Sequence, residues 1–190
     1  LYYCDDLAIR ELARVSEGVV GICTQAFLKA AVAKRTLSIE DYQRSIAKLI
    51  NANYDFVSEN EEVIWRHFID NEFKVDEILI KLMRRIQLNN IEKEGAYRIL
   101  GNFMGHVWFD LGKNKDTRNE VAHAIGQIIS EIPDQEFQTY SLDFILGLVQ
   151  QLKNFPVIIW GCIAEIIYHT DVSWLKSKGL EVALRETIST

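Results

Sequence analysis

Two prolines and three cysteines are all that this 190-residue chain holds of the residues that stiffen or staple a fold. So few prolines leave long stretches free to be helical, because Pro is the residue that most firmly stops a helix. Cys4, Cys23 and Cys162 are an odd count with no CxxC pair, and each stands among apolar neighbours. They read as reduced, buried thiols in a cytoplasmic protein. The ten glycines never fall into GxGxxG or GxxxxGK[ST], so no phosphate-cradling loop is present. Positive charge is short as well: 21 Lys and Arg against 27 Asp and Glu leave a net charge of −6. That argues against a broad basic surface for nucleic acid, since that mode needs Lys and Arg to displace counterions, and leaves room only for a small local patch. No apolar run reaches membrane-spanning length, so no membrane partner is expected.

Apolar residues are plentiful, at 48% of the chain, which is enough for a sizeable core. Two units are expected, over residues 1–70 and 71–190. The first opens as strand, acidic turn, helix, strand, helix. Leu1-Tyr2-Tyr3-Cys4 is apolar and aromatic, and Leu7 to Val15 has helical spacing with Leu7, Ile9, Leu12 and Ala13 inward and Arg10, Glu11 and Arg14 outward. Gly18 is placed to end that helix in a left-handed cap. Val19 to Cys23 is a β-branched run, Thr24 stands where an N-cap is expected, and Phe27, Leu28, Ala31 and Val32 form the inward face of the next helix. A right-handed crossover makes the two strands parallel neighbours, so Asp5-Asp6 stands on the sheet edge where ligands and catalytic groups gather in open α/β folds. Ser38-Ile-Glu-Asp41 is a capping-box pattern, and Ile39, Tyr42, Ile46, Leu49 and Ile50 follow at helical spacing.

This stretch, about residues 1–60, resembles the C-terminal half of a PIN domain, the fold of a large group of metal-dependent nucleases. The resemblance rests on Tyr3-Cys4-Asp5-Asp6-Leu7-Ala8-Ile9-Arg10-Glu11-Leu12-Ala13, on Gly18-Val19-Val20-Gly21-Ile22-Cys23-Thr24, on Phe27-Leu28 and on Leu37-Ser38-Ile39. It departs from the family in having Cys23-Thr24 where Gly-Thr is usual. The resemblance implies Asp6 as a catalytic metal ligand, with Asp5 as its neighbour, and Mg²⁺ or Mn²⁺ as the ion. Such hard ions take carboxylate oxygens and activate water for attack on a phosphodiester. Because neighbouring strand residues point to opposite faces, only one of the two aspartates is expected to face a metal while the other caps the helix. The family takes further acidic ligands from an earlier strand and helix. The chain opens on Leu in the middle of an expected strand, so those parts are expected upstream. The implied reading is a fragment of an RNA nuclease, inactive by itself, whose sheet is completed by a missing half or by another chain.

From Phe73 onward the pattern is helical throughout. Val75, Ile78, Leu79, Leu82, Met83 and Ile86 share one face, leaving Lys74, Lys81, Arg84 and Arg85 outside. Lys81, Arg84 and Arg85 are candidate contacts to RNA phosphate, with a solvated face as the plainer reading. Helices follow near Glu92–Leu111, Thr117–Ile132, Glu136–Leu152, Val157–His169 and Val172–Ile188. Short polar breaks between them predict a bundle or a helical-hairpin repeat able to take a protein partner. Ala124-Ile-Gly126-Gln-Ile-Ile can be laid on Ile159-Trp-Gly161-Cys-Ile-Ala, an echo of 35 residues. Glu120 and His123 have the ExxH spacing of di-iron bundles, but Glu165 and His169 do not repeat it. The fold class expected is therefore mainly α, with a truncated, two-stranded parallel α/β piece at the N-terminus. A noncatalytic helical interaction scaffold is the alternative function.

Overall fold

A computed structural model describes residues 2–3, 5–18, 21–54, 57, 60–88, 95–110, 114–133, 136–152 and 156–169. The elements in order are β1 (Tyr2–Tyr3), α1 (Leu7–Glu17), β2 (Gly21–Ile22), α2 (Thr24–Ala33), α3 (Ile39–Asn51), α4 (Glu61–Asp70), α5 (Glu77–Leu88), α6 (Ala96–Asp110), α7 (Lys115–Ser130), α8 (Phe137–Leu152) and α9 (Pro156–His169). The chain is mainly helical and divides into two compact units, Leu1–His67 and Phe68–Thr190. The helix expected over Val172–Ile188 lies outside the described residues.

In the first unit β1 and β2 pair in parallel, Tyr2 with Gly21 and Tyr3 with Ile22. Gly18 ends α1 in the left-handed region at φ 65°, its N–H turned back to the carbonyls of Ala13 and Arg14. A side chain there would be strained, which is why Gly serves. The face of α1 differs from expectation. Ile9, Leu12 and Val15 are exposed, while Arg10, expected outward, lies over β2. Gly21 has no side chain, and a Cβ there would meet Arg10 Cγ at 2.6 Å, so the Arg10 stem occupies that gap. In α2, Phe27 is exposed rather than inward. Ser38 caps α3, accepting from the Asp41 N–H at 3.0 Å and donating its hydroxyl to Asp41 Oδ2 at 2.8 Å. Ile46, Ala47 and Ile50 form its buried face, and Ile39 stays exposed.

The second unit is built on a repeated helical hairpin. α6 packs along α8 and α7 along α9, while α6–α7 and α8–α9 are the successive hairpins. From Ala96 to Phe137 and from Lys115 to Pro156 the spacing is 41 positions, so both helices of the hairpin recur together. Burial recurs with them: Phe103 and Phe144, Met104 and Ile145, Val107 and Leu148, Val121 and Cys162, Ala122 and Ile163, and Ile125 and Ile166 are all in the core. Two consecutive copies at this spacing follow the layout of helical repeats of 40 to 47 residues. The 35-residue echo seen in the sequence is out of register. It lays buried Ile125 on exposed Trp160, and that mismatch excludes it as the structural period.

Glycine sets how near α6 and α8 come. A Cβ at Gly101 would strike the Phe144 carbonyl oxygen and come to 2.9 Å from Leu148 N, and one at Gly147 would strike the Arg98 carbonyl oxygen and come to 2.9 Å from Asn102 N. The two backbones therefore touch. Tyr97 and Tyr140 stack at 4.7 Å between ring centres at one end of this contact, and Phe103 meets Phe68 edge-on at 5.5 Å. Asp143, in the first turns of α8, reaches the N-terminus of α6. It accepts from Gly95 N at 2.7 Å and Arg98 N at 3.1 Å, and its other oxygen takes Arg98 Nε and Nη2 at 3.0 and 2.8 Å. One carboxylate thus satisfies orphan donors of a helix start and a guanidinium fork at once.

Candidate functional site

The acidic pair stands directly after β1, at the carboxyl edge of the parallel strands. Asp6, with extended backbone, is the N-cap of α1, and its Oδ1 accepts from Ile9 N at 3.1 Å. Asp5 reaches across the edge to the start of α2. Thr24 donates its N–H to Asp5 Oδ1 at 2.6 Å and its hydroxyl to Oδ2 at 2.7 Å. Since the Thr24 proton goes to Asp5, the Tyr54 hydroxyl at 3.0 Å is the donor in the Thr24–Tyr54 bond. Beside it, Gln25 Nε2 donates to Tyr42 Oη at 3.1 Å. The arrangement joins the end of β1, the start of α2, α3 and the segment after α3 through polar groups.

Thr24 is the first residue of α2, and Cys23 takes the N-cap position without a side-chain bond. Asp5 supplies what the expected Thr24 cap would have supplied. The polar face of that helix start is filled by a side chain 19 residues upstream. Both oxygens of Asp5 and one of Asp6 are engaged by the protein itself, and no group of three or more His, Cys, Asp or Glu among the described residues is arranged to hold a metal. Mg²⁺ or Mn²⁺ takes several oxygen ligands, more than this pair supplies by itself.

No protein-family model, no curated protein and no solved structure matches this chain.

The other candidate residues are scattered. Arg84 pairs with Glu131 at 2.8 Å, and Arg85, expected on the outer face of α5, is buried. Arg carries its guanidinium on a long apolar stem, so Arg85 enters the core where the sequence pattern reads a solvated face. Lys81 is half-buried, so the three cations do not form an open basic patch. Glu120 and His123 are exposed on α7, where His123 Nε2 bonds Gln127 at 3.0 Å, and Glu165 faces the Asn119 amide at 3.0 Å. Trp108 is buried with the Arg118 guanidinium 5.5 Å over its ring, a core arrangement. Burial, with a smaller contribution from Glu165, pushes the Cys162 thiol far up, so it is an inert packing residue. Sequence reasoning missed Thr24 as the partner of Asp5 and missed Asp143 altogether. Neither partner lies within one helical turn, and that is the only distance a spacing pattern reads.

Proposed function

We propose that the first unit belongs to a metal-dependent RNA nuclease module of the PIN type, and that this chain without further acidic ligands does not cleave RNA. The single observation that supports the reading is the parallel β1–β2 pair with Asp5-Asp6 at its carboxyl edge, the place where α/β folds gather reactive groups. The second clause rests on ligand number, because two aspartates by themselves supply too few oxygens for Mg²⁺ or Mn²⁺. The reading requires acidic residues from a longer protein to join Asp6.

Single-turnover cleavage of a short labelled RNA tests it. This chain is expected to give no Mg²⁺- or Mn²⁺-dependent cleavage, and a longer protein carrying the added carboxylates is expected to cleave. There, Asp6→Asn should lower the rate about 100-fold or more, since a charged group at the reacting centre is lost. Asn caps helices as well as Asp does, so the fold of α1 survives the change. Asp5→Asn should act through the position of α2 and cost less, and Lys81→Ala should leave the chemical step alone. A folded Asp6→Asn protein cleaving at the unmutated rate would remove Asp6 from the site.

The second unit supports a second reading, an interaction scaffold. Its hairpins repeat at 41 positions, and stacked helical hairpins are a common way to present a surface to a protein partner.

A further inference from the structure

We infer that Ser38 is a phosphorylation site, modified by a protein kinase that reads the basic pair Lys34-Arg35 ahead of it. Ser38 is the only serine or threonine in the chain with a lysine or arginine three residues before it, and Lys34 adds a second cation one position further. The pattern falls where a partner can reach it. Residues 34–38 join α2 to α3, and Lys34, Arg35, Thr36 and Ser38 are all exposed. Arg35, in the left-handed region at φ 59°, turns the chain out of α2.

Charge singles out this connection. Exposed Arg14, Arg44, Lys74 and Arg84 are each tied to a carboxylate, whereas neither Lys34 nor Arg35 takes part in an ion pair among the described residues. Both can pair with carboxylates of a partner, and kinases sort their substrates by such charge patterns. The acidic residues after Ser38 are less accessible. Glu40 and Asp41 belong to the first turn of α3, and the Asp41 carboxylate is bonded to Ser38 Oγ at 2.8 Å and to Arg44 at 3.2 Å. A kinase reading Glu40 and Asp41 has to unwind a capped helix, while one reading Lys34 and Arg35 engages an exposed connection. Only its two bonds to Asp41 hold the Ser38 hydroxyl in place.

In the transfer, Ser38 Oγ attacks the γ-phosphorus of a nucleoside triphosphate. The O–P bond forms as the β–γ anhydride bond breaks, the nucleoside diphosphate leaves, and the hydroxyl proton passes to a base of the kinase. The product has a dianion where Ser38 gave Asp41 a proton, so that bond is lost at the start of α3. The site depends on neither the nuclease nor the scaffold reading.

Incubation of the whole 190-residue chain with the cyclic-AMP-dependent protein kinase, a basic-directed enzyme, and radiolabelled ATP tests this, with the modified residue located by mass spectrometry. Label on Ser38 is expected. Arg35→Ala should lower the rate at least about 10-fold through loss of a charge contact, and Lys34→Ala should lower it less. Ser38→Asp keeps an N-cap on α3 and should take no label at that position, while Lys48→Ala, an exposed cation on α3, should leave the rate unchanged. Circular dichroism checks that each variant is folded. No label on Ser38, label in a peptide from Ala30 to Tyr42 but not in the folded chain, or an Arg35→Ala protein labelled at the unmutated rate would overturn the inference. Faster labelling of Ser38 by an acid-directed kinase would overturn the role of Lys34-Arg35 and move recognition to Glu40 and Asp41.

Discussion

Gly147→Ala and Gly161→Ala are the same chemical change in neighbouring helices, and they are expected to move stability in opposite directions. In a helix interior, Ala in place of Gly gains about 1 kcal/mol from backbone entropy. At Gly161 an added Cβ meets nothing within 4 Å, so that gain stands nearly whole, and the variant should be about 0.5–1 kcal/mol more stable. At Gly147 the Cβ strikes the Arg98 carbonyl oxygen and lies within 3.0 Å of Arg98 C and 2.9 Å of Asn102 N. These are backbone atoms of α6, which no rotamer change can move. Relief requires α6 and α8 to separate, loosening Leu100, Phe103, Phe144 and Leu148, all fully buried. Re-exposing about 120 Å² of apolar surface costs about 3 kcal/mol, at the upper end of ordinary overpacking. After the helix gain is subtracted, the net loss is about 2 kcal/mol, or a fall in Tm of about 8 °C for a unit of this size. Urea unfolding followed by circular dichroism and by the fluorescence of the tryptophans, three of which (Trp108, Trp160 and Trp174) belong to the second unit, measures both variants. Equal shifts of the same sign, or a Gly147→Ala protein as stable as the parent, would refute the claim that backbone contact sets the α6–α8 distance.

Two further perturbations test the polar links. Asp143→Asn keeps the shape but removes the charge shared by Gly95 N, Arg98 N and the Arg98 fork, so the second unit should lose about 2–3 kcal/mol in the same urea experiment, well beyond the cost of a surface pair. At α3, the Ser38 hydroxyl and then Arg44 hold the Asp41 carboxyl below its ordinary value. A depressed folded-state pKa gives stability that is present above the unfolded value and lost as pH falls through the folded one. Ser38→Ala should therefore flatten the acid limb of the stability–pH curve below the usual carboxylate range, read from midpoints between neutral and acid pH. An unchanged acid limb would detach Asp41 from that bond.

What the sequence by itself determined was local. Helical spacing located α3, α5 and α8, Gly18 marked the end of α1 and the Ser38–Asp41 box the start of α3, and the crossover rule made β1 and β2 parallel, because each of these signals lies within a turn or one connection. Tertiary structure alone decided the rest. It turned Ile9 and Leu12 outward and laid Arg10 over Gly21, because Gly21 has no side chain and the Arg10 stem fills the gap it leaves. It set the hairpin period at 41 rather than 35, because burial follows which helix each helix meets, and matched Gly126 and Gly161 carry no such information. It gave Asp5 to Thr24 and Asp143 to the start of α6, across 19 and 48 positions. A carboxylate satisfies whichever donors the fold brings within 3 Å of it, and sequence spacing beyond a few residues does not encode that distance.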